Sequence, residues 1–262
     1  MLLKNKVVII SGIGPGMGKE LALEAAREGA LLAICARTAS KLDDSEAEIR
    51  AAGLDNPILK VPTDISDSAQ CKNLVDKTIE AYGRIDALIN SAYVPGSFEP
   101  IESADTDGWR PAFDVNLFGT IGLTQEVVPH MKKNGGGSVV MINTMVQRKP
   151  VATQAGYAAS KAALSAASKH MAVEFGQYNI RVNAVHMGWM WGPPVEYYIN
   201  MMAKAKGTTA EQEIADVTKH IALGVIPDDS DCAKSALFFA SDYSKMVTGA
   251  SLDVNGGEYM PI

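Results

Sequence analysis

Residues 7–18 read VVIISGIGPGMG, and this stretch decides the fold. Its first four residues form an apolar run typical of a buried strand, and the pattern over residues 18–28 predicts a helix. Between them lies a glycine-rich loop at residues 11–18. Glycines let a backbone turn sharply and approach a phosphate closely, and a helix that begins at once offers free N–H groups and a positive dipole end. A glycine-rich loop alone is a weak signal, but its place between the first predicted strand and helix predicts a phosphate cradle.

The rest of the chain continues the alternation of strands and helices. The further predicted strands have apolar residues at nearly every position, which is typical of a parallel sheet covered on both faces. The pattern predicts an α/β fold with a doubly wound parallel sheet, a Rossmann fold in three α/β/α layers. Its length suits a single domain over residues 1–262. The further predicted strands are residues 31–36, 58–61, 87–90, 138–143 and 181–185.

Composition limits the class of protein. The net charge of −6 argues against a nucleic-acid partner and provides no basic surface for anionic membranes. Cys35, Cys71 and Cys232 lie far apart, so no disulfide framework or metal-ligand spacing is present. Residues 1–6 lack the apolar core of a signal peptide, and no apolar stretch is long enough to span a membrane. We therefore expect a cytoplasmic protein that binds no metal, nucleic acid or membrane.

The end of the second predicted strand favours one dinucleotide. An acid there would bind the ribose 2′-hydroxyl of NAD, whereas a basic group accommodates the 2′-phosphate of NADP. This strand ends Cys35-Ala36-Arg37-Thr38, without an acid, and a guanidinium group matches phosphate geometry. NADP(H) is therefore favoured over NAD(H). The alternative is that Arg37 only stacks on the adenine ring.

A second informative motif is the pair Tyr157 and Lys161. On a helix this spacing places both side chains on one face. A nearby ammonium group stabilises a phenolate and lowers the phenol pKa towards neutrality. The same spacing is also common among ordinary surface neighbours, so the pair gains meaning from the cradle upstream of it.

Together these motifs resemble the short-chain dehydrogenase/reductase family, in its short single-domain form with a Tyr-x-x-x-Lys pair. The resemblance covers nearly the whole chain, including Arg181-Val182-Asn183 and the closing Thr248-Gly249. Ser11 stands for the usual threonine of Thr-Gly-x-x-x-Gly-x-Gly, and Asn90-Ser91-Ala92-Tyr93 stands for Asn-Asn-Ala-Gly. The cofactor-binding residues that it implies are Gly12, Gly14, Gly16, Met17, Gly18, Arg37, Asp64, Ile65, Asn90, Ser91, Ala92, Tyr157, Lys161 and Gly188.

The resemblance also implies the chemistry. Tyr157 would protonate a carbonyl oxygen as hydride leaves the nicotinamide, and Lys161 would lower the tyrosine pKa and bind the nicotinamide ribose. Asn116 would hold a water that links the lysine to solvent. Thr144 stands at the position of the family's serine, which hydrogen-bonds the substrate oxygen, and it keeps a hydroxyl there.

Several residues depart from the family pattern. Tyr93 replaces a glycine close to the cofactor, so its phenol must either point away or line the pocket. Gly192 stands where a threonine often contacts the nicotinamide amide. Residues 188–224 are predicted to cover the substrate, and their aromatic and methionine side chains favour an apolar, bulky one. The same side chains could instead be core or subunit interface. The predicted pocket residues are Tyr93, Met145, Trp189 and Trp191.

We therefore expect an NADP(H)-dependent alcohol dehydrogenase or ketone reductase that acts on a small hydrophobic secondary alcohol or its ketone. One alternative is a 3-oxoacyl-[acyl-carrier-protein] reductase, which needs a basic patch beside the pocket, for which Lys132-Lys133 is a candidate. Another is a non-catalytic dinucleotide-binding redox sensor, against which the complete set of predicted catalytic residues argues. The family commonly forms tetramers. Alanines after Lys161 would permit close helix packing, so a homotetramer or homodimer is expected.

Overall fold

Seven strands alternate with helices in the computed structural model, which describes residues 1–261. The strands are β1 (Val7–Ser11), β2 (Leu31–Ala36), β3 (Ile58–Pro62), β4 (Ala87–Asn90), β5 (Gly137–Thr144), β6 (Ile180–Met187) and β7 (Ser251–Val254). All pair in parallel in one sheet of order β3-β2-β1-β4-β5-β6-β7. The predicted strands are confirmed. In a compact domain, short apolar runs of this length are buried most readily as strands of a sheet covered on both faces.

Helices connect the strands. They are α1 (Met17–Arg27), α2 (Ala39–Ala51), α3 (Ser68–Tyr82), α4 (Arg110–Phe113), α5 (Thr120–Lys133), α6 (Ala155–Gly176), α7 (Pro193–Lys206), α8 (Ala210–Thr218) and α9 (Asp229–Ala240). A π-helical turn at Asp114–Gly119 joins α4 to α5, and short 3₁₀ turns lie at Thr106–Trp109, Met145–Gln147 and Asp242–Ser244.

The two faces of the sheet bury separate cores. Along β1, Val8 and Ile10 pack into one core with side chains of α1, α2 and α9, while Ile9 packs into the other with α3, α5 and α6. Successive side chains of a strand point to opposite faces, so a strand covered on both sides must be apolar throughout. The structure therefore has the three α/β/α layers of a doubly wound fold in a single domain.

The carboxyl edge of the sheet gathers the predicted site. The chain winds outward in one direction through β2 and β3 and in the other through β4 to β7, so β1 and β4 flank the point where the strand order reverses. Ligands of open α/β sheets bind in the crevice at such a point. The loops after β1, β4, β5 and β6 all open at this edge.

The segment at residues 188–224, predicted to cover the substrate, contains the two helices α7 and α8. Pro193 and Pro194 begin α7, where proline lacks only an N–H group that a helix leaves unpaired. Within residues 1–261, no helix is long and apolar enough to cross a bilayer.

Candidate active site

The phosphate cradle has the close packing that its glycines predict. Gly12 has φ +82°, and a Cβ added there would collide with the backbone nitrogen of Ala92. A Cβ at Gly18 would collide with the carbonyl oxygen of Gly12. Within residues 1–261, no side chain caps the amino end of α1 at Gly16, so its first N–H groups have no side-chain partner there. These features fit a pyrophosphate bound against the backbone of residues 12–18.

Arg37 and Asp64 lie together at the predicted adenosine end of the crevice. Arg37 is exposed directly after β2. The carboxylate of Asp64 accepts hydrogen bonds from the Ser66 hydroxyl at 2.7 Å and from its backbone N–H at 3.0 Å. These bonds, helped by the charge of Arg37, hold the pKa of Asp64 below its usual value. Ile65 beside it is buried.

At the end of β4, the backbone and not the asparagine side chain faces the cradle. Asn90 is 2% exposed and donates to the Thr124 hydroxyl at 3.2 Å, so its amide lies in the core. The backbone N–H of Ser91 donates to the carbonyl of Ser11 at 3.2 Å, which joins the end of β4 to the start of the cradle. Any cofactor contact of Asn90 would therefore come from its main chain.

Asn116 sits in the π-helical turn between α4 and α5. Its side-chain oxygen accepts from the N–H of Val94 at 2.8 Å, and its amide donates to the Val94 carbonyl at 2.9 Å and the Ser160 hydroxyl at 3.0 Å. The residue is fully buried. π-helical turns occur frequently at functional sites. Asn116 thus ties the loop after β4 to α6, the helix that carries Tyr157 and Lys161.

The three predicted catalytic residues beside the substrate meet where β5 ends and α6 begins. Lys161 is 2% exposed and donates from Nζ to the Ile142 carbonyl at 2.8 Å. Burial lowers the pKa of Lys161 to about 8. Burial, followed by the neighbouring phenol of Tyr93, raises the pKa of Tyr157, and the Thr144 side chain acts in the opposite direction. The expected lowering of the Tyr157 pKa towards neutrality is therefore not observed, because burial outweighs it, and Tyr157 holds its proton firmly.

Tyr93 does not point away from the site. Its ring lies against that of Tyr157, with the centroids 6.2 Å apart, and 55% of the residue is exposed. The sequence left both orientations open, and the structure places Tyr93 beside Tyr157.

The other predicted pocket residues occupy different places. Trp189 packs on Tyr198 of α7, with ring centroids 5.7 Å apart. Met145 is buried, and its sulfur lies near Gly188, at 3.7 Å from where a Cβ there would stand. Trp191 forms a bridge with Asp228 and lines a cavity at the cradle beside Gly16. The structure thus brings Tyr93 to Tyr157 but places Trp191 nearer the phosphate end of the crevice.

The sequence predicts no site role for two buried polar residues near the crevice. His186 is fully buried, with its ring nitrogens 2.8 Å from the Gln147 amide and 3.2 Å from the Arg148 guanidinium. Burial lowers the pKa of His186 to about 4, so it is a neutral structural residue. Asp229, at the start of α9, has its carboxylate beside Gly16 and Gly192. Nothing in the acidic run of residues 228–231 distinguishes it in the sequence.

Known proteins resemble this chain over nearly its whole length. A family model described as enoyl-(acyl carrier protein) reductase matches residues 12–258. Levodione reductase of Leifsonia aquatica is 30% identical, over 97% of this chain and 94% of its own. A 3-oxoacyl-[acyl-carrier-protein] reductase of Thermotoga maritima is 34% identical, over 98% and 99%. The 7alpha-hydroxysteroid dehydrogenase of Escherichia coli is 31% identical, over 97% and 94%.

Solved structures give the same result. L-sorbose reductase of Gluconobacter frateurii, complexed with NADPH and L-sorbose, superposes with a TM-score of 0.93 at 25% identity, covering 100% of this chain and 99% of its own. An NAD⁺-bound xylitol dehydrogenase superposes with a TM-score of 0.89 at 25% identity, covering 98% and 100%. Related structures therefore hold either dinucleotide. With the cradle, the crevice and the pair Tyr157 and Lys161 in place, this chain belongs to the short-chain dehydrogenase/reductase family of oxidoreductases.

Proposed function

We propose that the protein interconverts a hydrophobic secondary alcohol and its ketone with NADP(H), and that Tyr157 is the general acid and base. The observation that carries the proposal is the convergence of Thr144, Tyr157 and Lys161 at the carboxyl edge of the sheet, beside an open phosphate cradle. A phenol whose pKa is raised is protonated at neutral pH, which is the form that ketone reduction requires.

Each residue has a separate task in this scheme. The nicotinamide supplies or accepts the hydride. Tyr157 gives its proton to the carbonyl oxygen in reduction and takes it back in oxidation. Thr144 donates a hydrogen bond to the same oxygen. Lys161 remains mostly protonated at neutral pH, and its buried charge favours the phenolate that forms. Asn116 fixes α6 against the loop after β4 and keeps these groups in register.

Arg37 supports a preference for NADP(H). It is exposed directly after β2, no acid accompanies it there, and its charge acts at Asp64. A guanidinium group binds phosphate in a bidentate manner and is always charged. The 2′-phosphate would therefore find a cation where NAD-dependent relatives of this fold place a carboxylate.

The aromatic wall beside Tyr157 supports an apolar, fairly bulky substrate. Tyr93 presents an exposed ring face, and Trp189 and Tyr198 form a second aromatic pair in the segment at residues 188–224, which we propose covers the crevice. Aromatic walls bury the rings and alkyl groups of a ligand. The names of two relatives, levodione reductase and 7alpha-hydroxysteroid dehydrogenase, point to similar substrates.

A 3-oxoacyl-[acyl-carrier-protein] reductase is the second candidate, which the relative from Thermotoga maritima favours. Its acidic carrier protein would need a basic surface at the pocket. Lys132 and Lys133 end α5, directly before β5 begins, so they lie at the amino edge of the sheet, opposite the site. Lys132 also stacks on the ring of Tyr178 at 3.6 Å. This pair therefore does not supply the surface, and we rank the candidate second.

NADPH oxidation, followed at 340 nm with a panel of carbonyl compounds, tests the proposal. The panel should contain aryl ketones, cyclic diketones, a hydroxysteroid ketone and an acetoacetyl thioester. We expect the highest kcat/KM with a cyclic or aryl ketone. Highest activity with the thioester would favour the second candidate, and no oxidation with any compound would contradict both.

Assembly and location stay predictions. The alanines at positions 162, 163, 166 and 167 of α6 are exposed or half-buried, which suits packing against another copy in a homotetramer or homodimer. Light scattering on the purified protein measures this. The cytoplasmic location and the lack of nucleic-acid, membrane and metal partners rest on composition alone.

A further inference from the structure

Three helices present uncapped amino ends to one cavity beside the phosphate cradle. α1 begins after Gly16, α7 begins after Gly192, and α9 begins after Asp228. In the part of the chain that the structure describes, none of these positions makes a side-chain cap hydrogen bond. Residues from all three sites line a cavity of about 210 Å³. Helix amino ends carry free N–H groups and a positive dipole, so this place attracts anions.

The carboxylate of Asp229 occupies the junction between these helix ends. Its Oδ2 lies 3.0 Å from where a Cβ of Gly16 would stand, and a Cβ at Gly192 would collide with it. The residue is 7% exposed. No hydrogen bond reaches its side chain from residues 1–261, although α9 begins with it. The carboxylate faces the cavity, and because it is largely shielded from water and has no hydrogen-bond partner, its charged form is disfavoured.

The Asp229 carboxylate can take its position only because residue 192 is a glycine. A side chain at position 192 would take the space that the Asp229 carboxylate fills. Main-chain hydrogen bonds hold the two segments together: the N–H of Trp191 donates to the Pro227 carbonyl at 2.7 Å, and the N–H of Asp229 donates to the Trp191 carbonyl at 3.1 Å. The carboxylate therefore belongs to the wall of the cradle and is not a mobile surface group.

The charges around Asp229 are mostly negative. α1 contributes Glu20, whose charge opposes ionisation of Asp229, and Lys19, which favours it but is paired with Glu48 at 2.8 Å. α9 contributes Asp228, which also opposes ionisation, while Asp231 is paired with Lys234 at 2.7 Å.

The remaining titratable neighbours are the Tyr93 phenol and the Cys232 thiol, and since the charge of Asp229 helps to raise both pKa values, both groups are uncharged at neutral pH. On the side of α7 the neighbours of the carboxylate are Pro193 and Pro194, and on the side of the cradle the neighbour is Gly16. Burial, Glu20 and Asp228 raise the pKa of Asp229 to about 6. The carboxyl group therefore changes charge within the range in which the enzyme can be assayed.

We infer that Asp229 is a proton-dependent gate on the phosphate cradle: its neutral carboxyl admits the pyrophosphate of a dinucleotide and can donate a hydrogen bond to it, whereas its carboxylate repels it. The inference rests on the proposed dinucleotide-binding function and adds a pH control to that site. Two anions held this close together repel each other, and the repulsion is strong where water is largely excluded. Because the bound state favours the protonated carboxyl, binding takes up a proton, and affinity falls as the pH rises through the pKa of the free protein.

Binding of NADH, measured by fluorescence energy transfer from protein to nicotinamide between pH 5.5 and 8.5, tests the gate. NADH is the probe because the 2′-phosphate of NADPH itself titrates near pH 6. We expect the Kd of the wild-type protein to rise by about tenfold or more across this range. Asp229→Asn keeps the shape and always offers an N–H donor, so its Kd should stay at the low-pH value throughout.

Asp231→Asn is the matched control, since it removes one charge from the exposed first turn of the same helix, where Asp231 is paired with Lys234 and lies outside the lining of the cavity. It should keep the wild-type pH slope. The slope surviving in Asp229→Asn would overturn the inference. A pH dependence of the opposite sign would also overturn it. Affinity for NADH would then be lost at low pH and in Asp229→Asn, because the carboxylate would accept a hydrogen bond from the dinucleotide.

Calorimetry of the unaltered protein provides a second measurement that needs no variant to fold. Binding enthalpies at pH 7 in two buffers of different ionisation enthalpy give the number of protons taken up with NADH. We expect an uptake of about half a proton or more, and zero uptake would overturn the gate. Failure to bind NADH or NADPH at any pH would instead contradict the proposed function, and with it this inference.

Discussion

The ring of Tyr93 lies 6.2 Å from the ring of Tyr157, centroid to centroid, with the planes inclined at 57°. This contact joins the loop after β4 to the start of α6 and makes Tyr93 part of the immediate surroundings of the proposed acid. The second phenol raises the pKa of Tyr157, after burial, which contributes more. A side chain that the sequence could only mark as unusual thus tunes the central residue.

Removing the Tyr93 ring should therefore lower the pKa of Tyr157. We expect Tyr93→Gly to shift the pH profile of alcohol oxidation towards acid by about one unit, because oxidation needs the phenolate as base. The log of kcat/KM against pH gives the shift. Tyr93→Phe keeps the ring and loses only the hydroxyl, so it should shift less. An unchanged or alkaline profile in Tyr93→Gly would contradict this account of the contact.

Arg37 should determine the dinucleotide. We expect Arg37→Gln to lower kcat/KM for NADPH by about 10- to 100-fold, which corresponds to the loss of one charged hydrogen-bonding partner, and to leave NADH almost unchanged. Lys41→Gln, on the exposed face of α2, removes the same charge nearby and should affect neither cofactor. An equal loss with both dinucleotides would mean that Arg37 stacks on adenine.

The cradle contains a matched pair of glycines. A Cβ at Gly18 would collide with the Gly12 carbonyl, whereas a Cβ at Gly14 would have no heavy atom of residues 1–261 within 4 Å beyond its chain neighbours. Gly18→Ala should therefore lower the free energy of unfolding by about 1–3 kcal/mol, and Gly14→Ala should change it by less than about 0.5 kcal/mol. Urea unfolding measures both. Equal changes in the free energy of unfolding for the two variants would contradict this account, because the close packing of α1 on the loop would then not explain the glycine at position 18.

Lys161 should make stability depend on pH in the alkaline range. Burial lowers its pKa from 10.5 to about 8 in the folded protein. Between these values the unfolded chain keeps a proton that the folded protein has lost. The contribution of Lys161 to the free energy of unfolding therefore rises with pH. We expect the rise to be about 1–3 kcal/mol and to be absent in Lys161→Met. Urea unfolding from pH 7.5 to 9.5 gives both curves, and parallel curves would contradict the shifted pKa.

Much of the fold could be predicted because the signals are local. Apolar runs fix the strands, and the glycines of residues 12–18 identify the loop where the chain turns against Ala92. The segment at residues 188–224 was harder, since Pro193-Pro194 suggests a break and in fact begins α7. Asn116 was assigned by its motif, but the π-helical turn that holds it has no sequence pattern.

The candidate site was predictable where motifs exist and not where distant residues meet. Tyr157 and Lys161 share a helix, so their spacing alone places them together. Asp229 reaches Gly16 only because the chain folds α9 against α1, and no local pattern reports this. Whether Tyr93 would face the site depended on the path of the loop after β4, which a single residue type does not determine.

The central claim is that Tyr157 exchanges a proton with the substrate oxygen, and Tyr157→Phe tests it most directly. The variant keeps the ring against Tyr93 and loses only the hydroxyl. With NADPH and the best ketone of the panel, we predict that kcat falls by at least about a thousandfold, while the Kd for NADPH stays within about twofold because no cradle contact changes. Full activity in Tyr157→Phe, with NADPH bound normally, would contradict the account.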